Sequence, residues 1–287
     1  MNPSDYEYLR CLLKERSGLT LSADKHYLVE SRLLPVARKA GLNGLGELVA
    51  KLKAPGGVLL TTRVVEAMTT NETFFFRDKM PFDHFRDTIM PALLEARAAS
   101  RRIRIWCAAA SSGQEPYSLA ICLREMGEKL AGWNIDLLAT DLSGEILERA
   151  KDGIYSQFEA QRGLPIHMLL KYFTQVGERW QVNADLRDMV RFRPINLLHD
   201  FTPLGRFDVV FCRNVLIYFD TPTKTATFER LSRVVASDGY LLLGAAETVI
   251  GLTDLFKPMP ERRGLYAPTP QVRGIGAGNF QRAIRRA

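Results

Sequence analysis

The feature that most limits the fold is a rhythm running from Arg102 to Glu247. Four short apolar runs, "RIRIWCAA", "IDLLATD", "RFDVVFCRN" and "YLLLGAAE", read as strands. Between them "PYSLAICLREMGEKL", "SGEILERAKDG" and "TPTKTATFERLSRVVASDG" read as helices. Such alternation predicts an α/β fold, a Rossmann-like parallel sheet with helices on both faces. "DVVF" and "LLLG" are near-continuously apolar, which fits strands buried on both sides. The rhythm breaks between Tyr172 and Asn196. "KYFTQVGERWQVNADLRDMVRFRPIN" predicts short antiparallel strands, a β-subdomain inserted at about 170–195.

Upstream, residues 1–68 read as a small all-helical domain. Ser4 and Glu7 have the spacing of a capping box, and Gly18 closes that first helix. Ser22 is the expected cap of a second helix, which Pro35 should kink and Gly41 ends. "GLGELVAKLK" and "LLTTRVVEAM" supply two more helices. Residues 69–86, including "TTNETFFFRD", read as a linker whose phenylalanines wedge between the helical domain and the sheet domain at 87–268. The remainder, 269–287, reads as a flexible basic tail with a short helix at "NFQRAIRRA".

Hydrophobic residues make up 46% and charged residues 25% of the 287, an ordinary globular balance. No apolar run reaches the roughly 18 residues a membrane helix needs, and the first residues lack the pattern of a signal peptide. Four scattered cysteines without CxxC spacing argue against a structural zinc or a disulfide framework and suit a reducing cytoplasm. The net charge of +7 sits at the ends: residues 1–66 hold ten Lys/Arg against seven Asp/Glu, and residues 260–287 six Arg against one Glu. An acidic partner is the expectation from that excess, and a solvated surface is the alternative.

Ligands of open α/β sheets bind beyond the carboxyl ends of the strands. After the first strand comes "AAASSGQEPYS", a turn of small residues with one glycine, Gly113. It matches neither GxGxxG nor a P-loop, so a diphosphate site is not expected. Glu115 there suits a cationic or hydroxylated ligand, unless the turn is simply a connection. Asp141 ends the second strand, where an acid can accept from both ribose hydroxyls. The alternative is that it caps the next helix in competition with Ser143. Together the two loops favour a nucleoside ligand without a diphosphate, S-adenosylmethionine being the common one. Asn214 and Tyr218 follow the strand "FDVVF", and a polar Asn among apolar neighbours needs hydrogen-bond partners, from a ligand or from loop backbone.

In order and at fitting separations, "TTNETFFFRD", "SSGQEPYSLA", "LLATDLS", "NLL" at 196–198, "FCRNVLIYFD" and "GAAET" resemble the CheR-type chemotaxis receptor methyltransferases. The resemblance covers roughly residues 5–267. It implies a class I S-adenosylmethionine-dependent methyltransferase domain behind a helical receptor-recognition domain. It implies that Asn71, Thr73 and Arg77 close over the cofactor and that Glu115 meets its methionine end. Asp141 would hold the ribose, Asn196 and Leu197 would flank the adenine, and Asn214 and Val215 would lie around the adenosine and sulfonium. Arg77 and Tyr218 would act near the transferred methyl and the incoming glutamate, unless Arg77 merely pairs with Asp78 or Glu72. Arg32 and Arg38 on the second helix would meet acidic methylation helices of the receptor. Three departures from the family pattern stand out: Ala109 and Ala110 where Gly and Cys are frequent, Gln114-Glu115 where Glu-Glu is usual, and Ala245 where His is common. A tighter backbone at Ala109 would weaken cofactor binding.

The implied reaction makes a glutamyl methyl ester in the cytoplasmic helical region of a methyl-accepting chemoreceptor. A carboxylate with a pKa of about 4.3 is already ionised at neutral pH, so no general base is needed. None of the four histidines falls in the matched motifs. The short turn in "TQVGERW", with Gly177 alone, resembles members of the family that work without a receptor C-terminal pentapeptide. No metal, nucleic acid partner or membrane insertion is expected, and a monomer is the default. Alternatives are a methyltransferase acting on RNA or a small molecule, and a cofactor-sensing regulatory module.

Overall fold

The computed structural model describes residues 1–270, so the predicted tail helix at "NFQRAIRRA" lies outside the described residues. The helical domain comprises α1 (Pro3–Ser17), α2 (His26–Lys39), α3 (Leu45–Lys53) and α4 (Val58–Met68). Its core is a separate cluster that includes Leu9, Leu13, Val29, Leu33, Leu48, Val49 and Val64. α1 begins two residues earlier than a Ser4 cap would put it. Pro3 occupies the first helical position, where a missing N–H costs nothing, and the Asn2 side chain accepts from Asp5 N at 2.7 Å. Glu7 pairs with Arg10 instead of closing a capping box. Nor does Ser22 cap α2: its hydroxyl bonds Asp24, the helix starts at His26, and it runs continuously through Pro35.

A helical passage, α5 (Met80–His84) and α6 (Met90–Ala96) joined by a π-turn at Phe85–Ile89, leads into the sheet domain. There follow β1 (Arg102–Ala108), α7 (Gln114–Glu125), β2 (Asn134–Asp141), α8 (Gly144–Asp152), β3 (Ile154–Ser156), α9 (Gln157–Gln161) and α10 (Ile166–Tyr172). Then come β4 (Phe173–Val176), β5 (Arg179–Val182), α11 (Ala184–Arg187), β6 (Val190–Pro194) and β7 (Phe207–Cys212). The domain ends with α12 (Thr221–Val234), β8 (Val235–Leu243), β9 (Phe256–Pro258) and β10 (Leu265–Pro268).

The main sheet has seven strands in the order β6-β2-β1-β7-β8-β10-β9. β6, β2, β1, β7 and β8 run parallel; β10 and β9 are antiparallel. β1 is central, with β2 on one flank and β7 on the other, so the chain changes winding direction beside it. That is the switch point at which such sheets open a crevice. β7 is buried along its whole length, as its near-continuous apolar run predicted, and the one charge in it, Asp208, pairs with Arg97 at 2.8 Å. β8 starts five residues before the expected "YLLLG", because "VASDG" is already extended rather than helical.

The inserted sheet is antiparallel, as expected, but its limits differ from about 170–195. Its order is β3-β5-β4, so it begins at Ile154, before Tyr172. Val190–Pro194 does not belong to it; that strand pairs in parallel with β2 in the main sheet. As the edge strand β6 buries Val190 and exposes its other residues in part or wholly, and so imitates an antiparallel strand in sequence.

The phenylalanines of the linker do not wedge between the two domains. Phe75 is 0% exposed and lies in the sheet-domain core, edge-on to Tyr155 at 5.0 Å and Phe173 at 5.4 Å. Phe76 packs on Phe82, and Phe74 carries the Arg162 guanidinium over its ring at 4.5 Å.

Candidate cofactor and catalytic site

One cavity opens beyond the carboxyl ends of β1, β2 and β7. Asn71, Thr73, Arg77, Glu115, Asp141, Asn196, Leu197, Asn214, Val215 and Tyr218 all line it. The sequence reading therefore brings its cofactor and catalytic residues together. Arg32 and Arg38, expected to meet the receptor, lie outside the cavity on α2. Arg38 is exposed on α2. The Arg32 guanidinium donates to the carbonyls of Met68 and Thr69 at 2.7 and 2.9 Å and to Thr70 Oγ1. Its head group anchors the start of the linker through neutral acceptors.

The linker crosses the cavity under several constraints. Ser111 Oγ donates to Asn71 O at 2.8 Å, and Phe76 N donates to Ser118 Oγ at 2.9 Å. Arg77 Nη1 donates to the Glu72 carbonyl, so neither Asp78 nor the Glu72 carboxylate pairs with it. Glu72 pairs with Arg162. Phe76, Asp78 and Lys79 all have positive φ, as do Ala109, Ser111 and Asn214 on the strand loops. Left-handed backbone at non-glycine residues is costly and gathers at functional sites. Ala109, with φ of 62°, holds a conformation glycine would take freely.

Behind the first loop, Asp141 accepts from Ser111 N at 2.9 Å with one carboxylate oxygen and from Ser143 N at 3.0 Å with the other. The helix cap is Ser143, whose hydroxyl accepts from Ile146 N. Asp141 thus holds two strand loops in register. Burial raises its pKa, against the lowering effect of those amides. Tyr155 of the inserted sheet donates to Ser112 O at 2.7 Å and fixes the same loop from outside.

Two residues that sequence reasoning did not single out dominate the polar geometry. Arg213, with a side chain 1% exposed, donates to Glu115 at 2.7 Å, to Asp78 at 2.7 Å and to the Arg77 carbonyl at 3.0 Å. Glu115 is nearly buried, and burial raises its pKa although Arg213 pulls the other way. The signal was present in "FCRN": a guanidinium that directly follows a buried strand requires acidic partners. Glu247, 9% exposed, accepts from the backbone amides of Gly244 and Asn214 and from those of Val215 to Ile217. An acid at the end of the buried run "LLLG" was its sequence signal.

The helical domain supplies one wall. Ser17 and Leu19 line the cavity, Thr20 N donates to Tyr218 O at 2.9 Å, and Lys14 pairs with Asp220 at 2.7 Å. Asn196 donates to Arg16 O at 2.7 Å and accepts from Leu198 N, so its amide ties the two domains together.

Residues 71–265 match the family model described as "CheR methyltransferase, SAM binding domain", and residues 4–69 match "CheR methyltransferase, all-alpha domain". Chemotaxis protein methyltransferase 1 of Pseudomonas aeruginosa is 42% identical over 260 residues, 88% of this chain and 93% of that protein. Chemotaxis protein methyltransferase Cher2 of Pseudomonas putida is 40% identical over 257 residues, 88% of this chain and 93% of its own length. Chemotaxis protein methyltransferase 1 of Vibrio cholerae is also 40% identical, with the same coverage. With both domains matched in order and the relatives covered nearly end to end, the chain belongs to the CheR methyltransferase family.

Proposed function

We propose that this chain methylates glutamate carboxylates in the cytoplasmic helical region of chemoreceptors, with S-adenosylmethionine as the methyl donor. The observation that carries the reading is the convergence of the linker and the ends of β1, β2 and β7 on one cavity. The residues fit a cationic nucleoside. Two acids, Glu115 and Asp141, lie buried in its wall, where a cation offsets the cost of their desolvation. Left-handed Ala109 and Ser111 bring backbone to the cavity surface. Asp141 would hold the ribose, Asn196 and Leu197 the adenine end, and Glu115 the methionine end beside Arg213. Asn71, Thr73, Asn214 and Val215 would complete the enclosure.

The cofactor, when bound, supplies a methyl group on an electrophilic sulfonium. The protein's own work is orientation and exclusion of water. A glutamate acceptor is ionised at neutral pH, so the site needs no base to take a proton. Arg77 orients that carboxylate without a tight ion pair, which would blunt it as a nucleophile. Tyr218 hydrogen-bonds near the transfer point. Alignment of this kind can lower a barrier by up to about 7–11 kcal/mol. The turn between β4 and β5 is short, with Gly177 at φ of 61°, which favours the pentapeptide-independent mode.

The test is incubation with tritiated S-adenosylmethionine and receptor cytoplasmic fragments. Base-labile label on the receptor is the expected result. Base-stable label, or none, sinks the ester assignment.

A further inference from the structure

The Glu247 carboxylate is the acceptor for an entire turn. Its Oε2 accepts from Gly244 N at 2.7 Å and Asn214 N at 2.8 Å. Its Oε1 accepts from Val215 N at 3.0 Å, Leu216 N at 2.8 Å and Ile217 N at 3.3 Å. Successive amides pointing at one place form an anion-binding concavity. Here the anion is a side chain brought from the end of the neighbouring strand, β8. The turn it holds begins at Asn214, in the left-handed region at φ of 59°, and ends in the single 3-10 turn Leu216–Tyr218. Asn214, Val215 and Tyr218 all face the cavity, whereas Glu247 is not among the residues lining it.

The close approach has a sequence requirement of its own. A Cβ at Gly244 would lie 2.7 Å from Glu247 Oε2 and 2.8 Å from Asn214 Nδ2. Any side chain there would displace the carboxylate or the Asn214 amide. An amide in place of the carboxylate would present an NH2 group to some of these N–H donors, leaving buried donors unpaired.

We infer that Glu247 is a positioning residue: it sets Asn214 and Tyr218 in their working geometry through the backbone without touching cofactor or acceptor. The inference rests on the proposed function, and its test is read first in cofactor affinity, which needs no methyl acceptor. The measurement is calorimetric titration of S-adenosylhomocysteine into wild type, Glu247→Gln, Asn214→Ala and the double variant. Each single substitution is expected to weaken binding about tenfold, and the double to be little weaker than either single, because both remove the same contact. Turnover on receptor fragments should show the same non-additivity between Glu247→Gln and Tyr218→Phe. A general structural loss would instead multiply with both. If Glu247→Gln fails to fold, Glu247→Asp keeps the charge one methylene short of the turn and serves in the same cycle. Additive cycles, or unchanged binding in a folded variant, overturn the inference alone. A wild-type chain that binds no S-adenosylhomocysteine overturns the methyltransferase reading and this inference with it.

Discussion

Gly163 leaves no room for a Cβ beside the carbonyl oxygen of Phe75; that atom would sit 2.0 Å away. The contact presses the linker backbone onto the segment between α9 and α10, and Gly163 itself has φ of 84°. Phe75 is thereby fixed two residues ahead of Arg77.

Gly163→Ala should cost more than about 2 kcal/mol, since left-handed strain of 1–2 kcal/mol adds to a backbone clash. Turnover should fall as well, because the displaced segment carries Thr73 and Arg77. Gly177→Ala is the control. Gly177 has φ of 61° with nothing within 4 Å of a Cβ, so only the strain remains, about 1 kcal/mol. Equal losses in thermal or urea unfolding would show that the Phe75 contact carries no special weight.

Arg77→Ala should lower turnover by roughly 10²-fold or more, the usual effect of removing a donor aimed at the reacting groups. Arg77→Lys should restore little, since a point ammonium lacks the planar fork. The helices and sheets should be unchanged by circular dichroism, because the Arg77 side chain bonds the Glu72 carbonyl and lies over the Phe74 ring at the cavity wall, outside the core. Full activity in the alanine variant would remove Arg77 from the mechanism.

Arg213→Met should destabilise by about 3–5 kcal/mol, because it leaves the Glu115 carboxylate buried without its partner. Asp78→Asn should cost much less, as the Asp78 side chain is 37% exposed. Adding Glu115→Gln to Arg213→Met should recover part of the loss. Urea unfolding of the set decides; no recovery in the double variant contradicts the pairing.

His84 gives the stability a pH dependence. Its imidazole is buried, and Nε2 has no hydrogen-bond partner among the described residues. Burial first, and then Arg262, lowers its pKa below 6.5. The folded state therefore prefers neutral His84. Its contribution is present above the ordinary pKa of 6.5 and is lost as pH falls through the lower folded value. Thermal midpoints should drop between pH 7 and pH 5, and His84→Gln should flatten that slope. A variant with an unchanged slope would clear His84.

Ala109→Gly should stabilise slightly, by about 0.5–1 kcal/mol. Relief of about 1–2 kcal/mol of left-handed strain exceeds the 0.4–1 kcal/mol that a glycine adds to the unfolded chain's entropy. Cofactor affinity should hold or improve. A lower melting midpoint would mean that the Ala109 methyl packs usefully.

Much of the fold is legible in sequence because the strands of the central sheet are buried on both faces and read as apolar runs. Asp141, Asn214 and Glu115 are legible for a related reason: Asp141 ends one such run, Asn214 stands two residues past another, and Glu115 lies in the first turn of the helix after a third, all where the switch point opens. Arg213 and Glu247 are less so. Arg213 meets Glu115 from 98 positions away, and Glu247 reaches the Asn214 turn across 33. No local pattern records which strand ends become neighbours. Arg32 has a structural task that its sequence position does not show, since the carbonyls it holds lie 36 and 37 positions away. The inserted sheet misleads at its limits because β3 has only three residues and β6 is a half-exposed edge strand.

The hydrogen bond from Thr20 N to Tyr218 O joins the end of the first helix to the turn that bears Tyr218, the side chain proposed to act near the transferred methyl. Ser17 and Leu19 stand in the same wall, and a Cβ at Gly18 would lie 2.8 Å from the Phe219 ring. On the proposed function, recognition and chemistry are therefore not separable cassettes in this chain. A helical domain grafted from a relative must reproduce the fit of residues 17–20 against Tyr218 and Phe219. Without that fit, a change of receptor preference would also change the geometry of methyl transfer, which ties the evolution of one to the other.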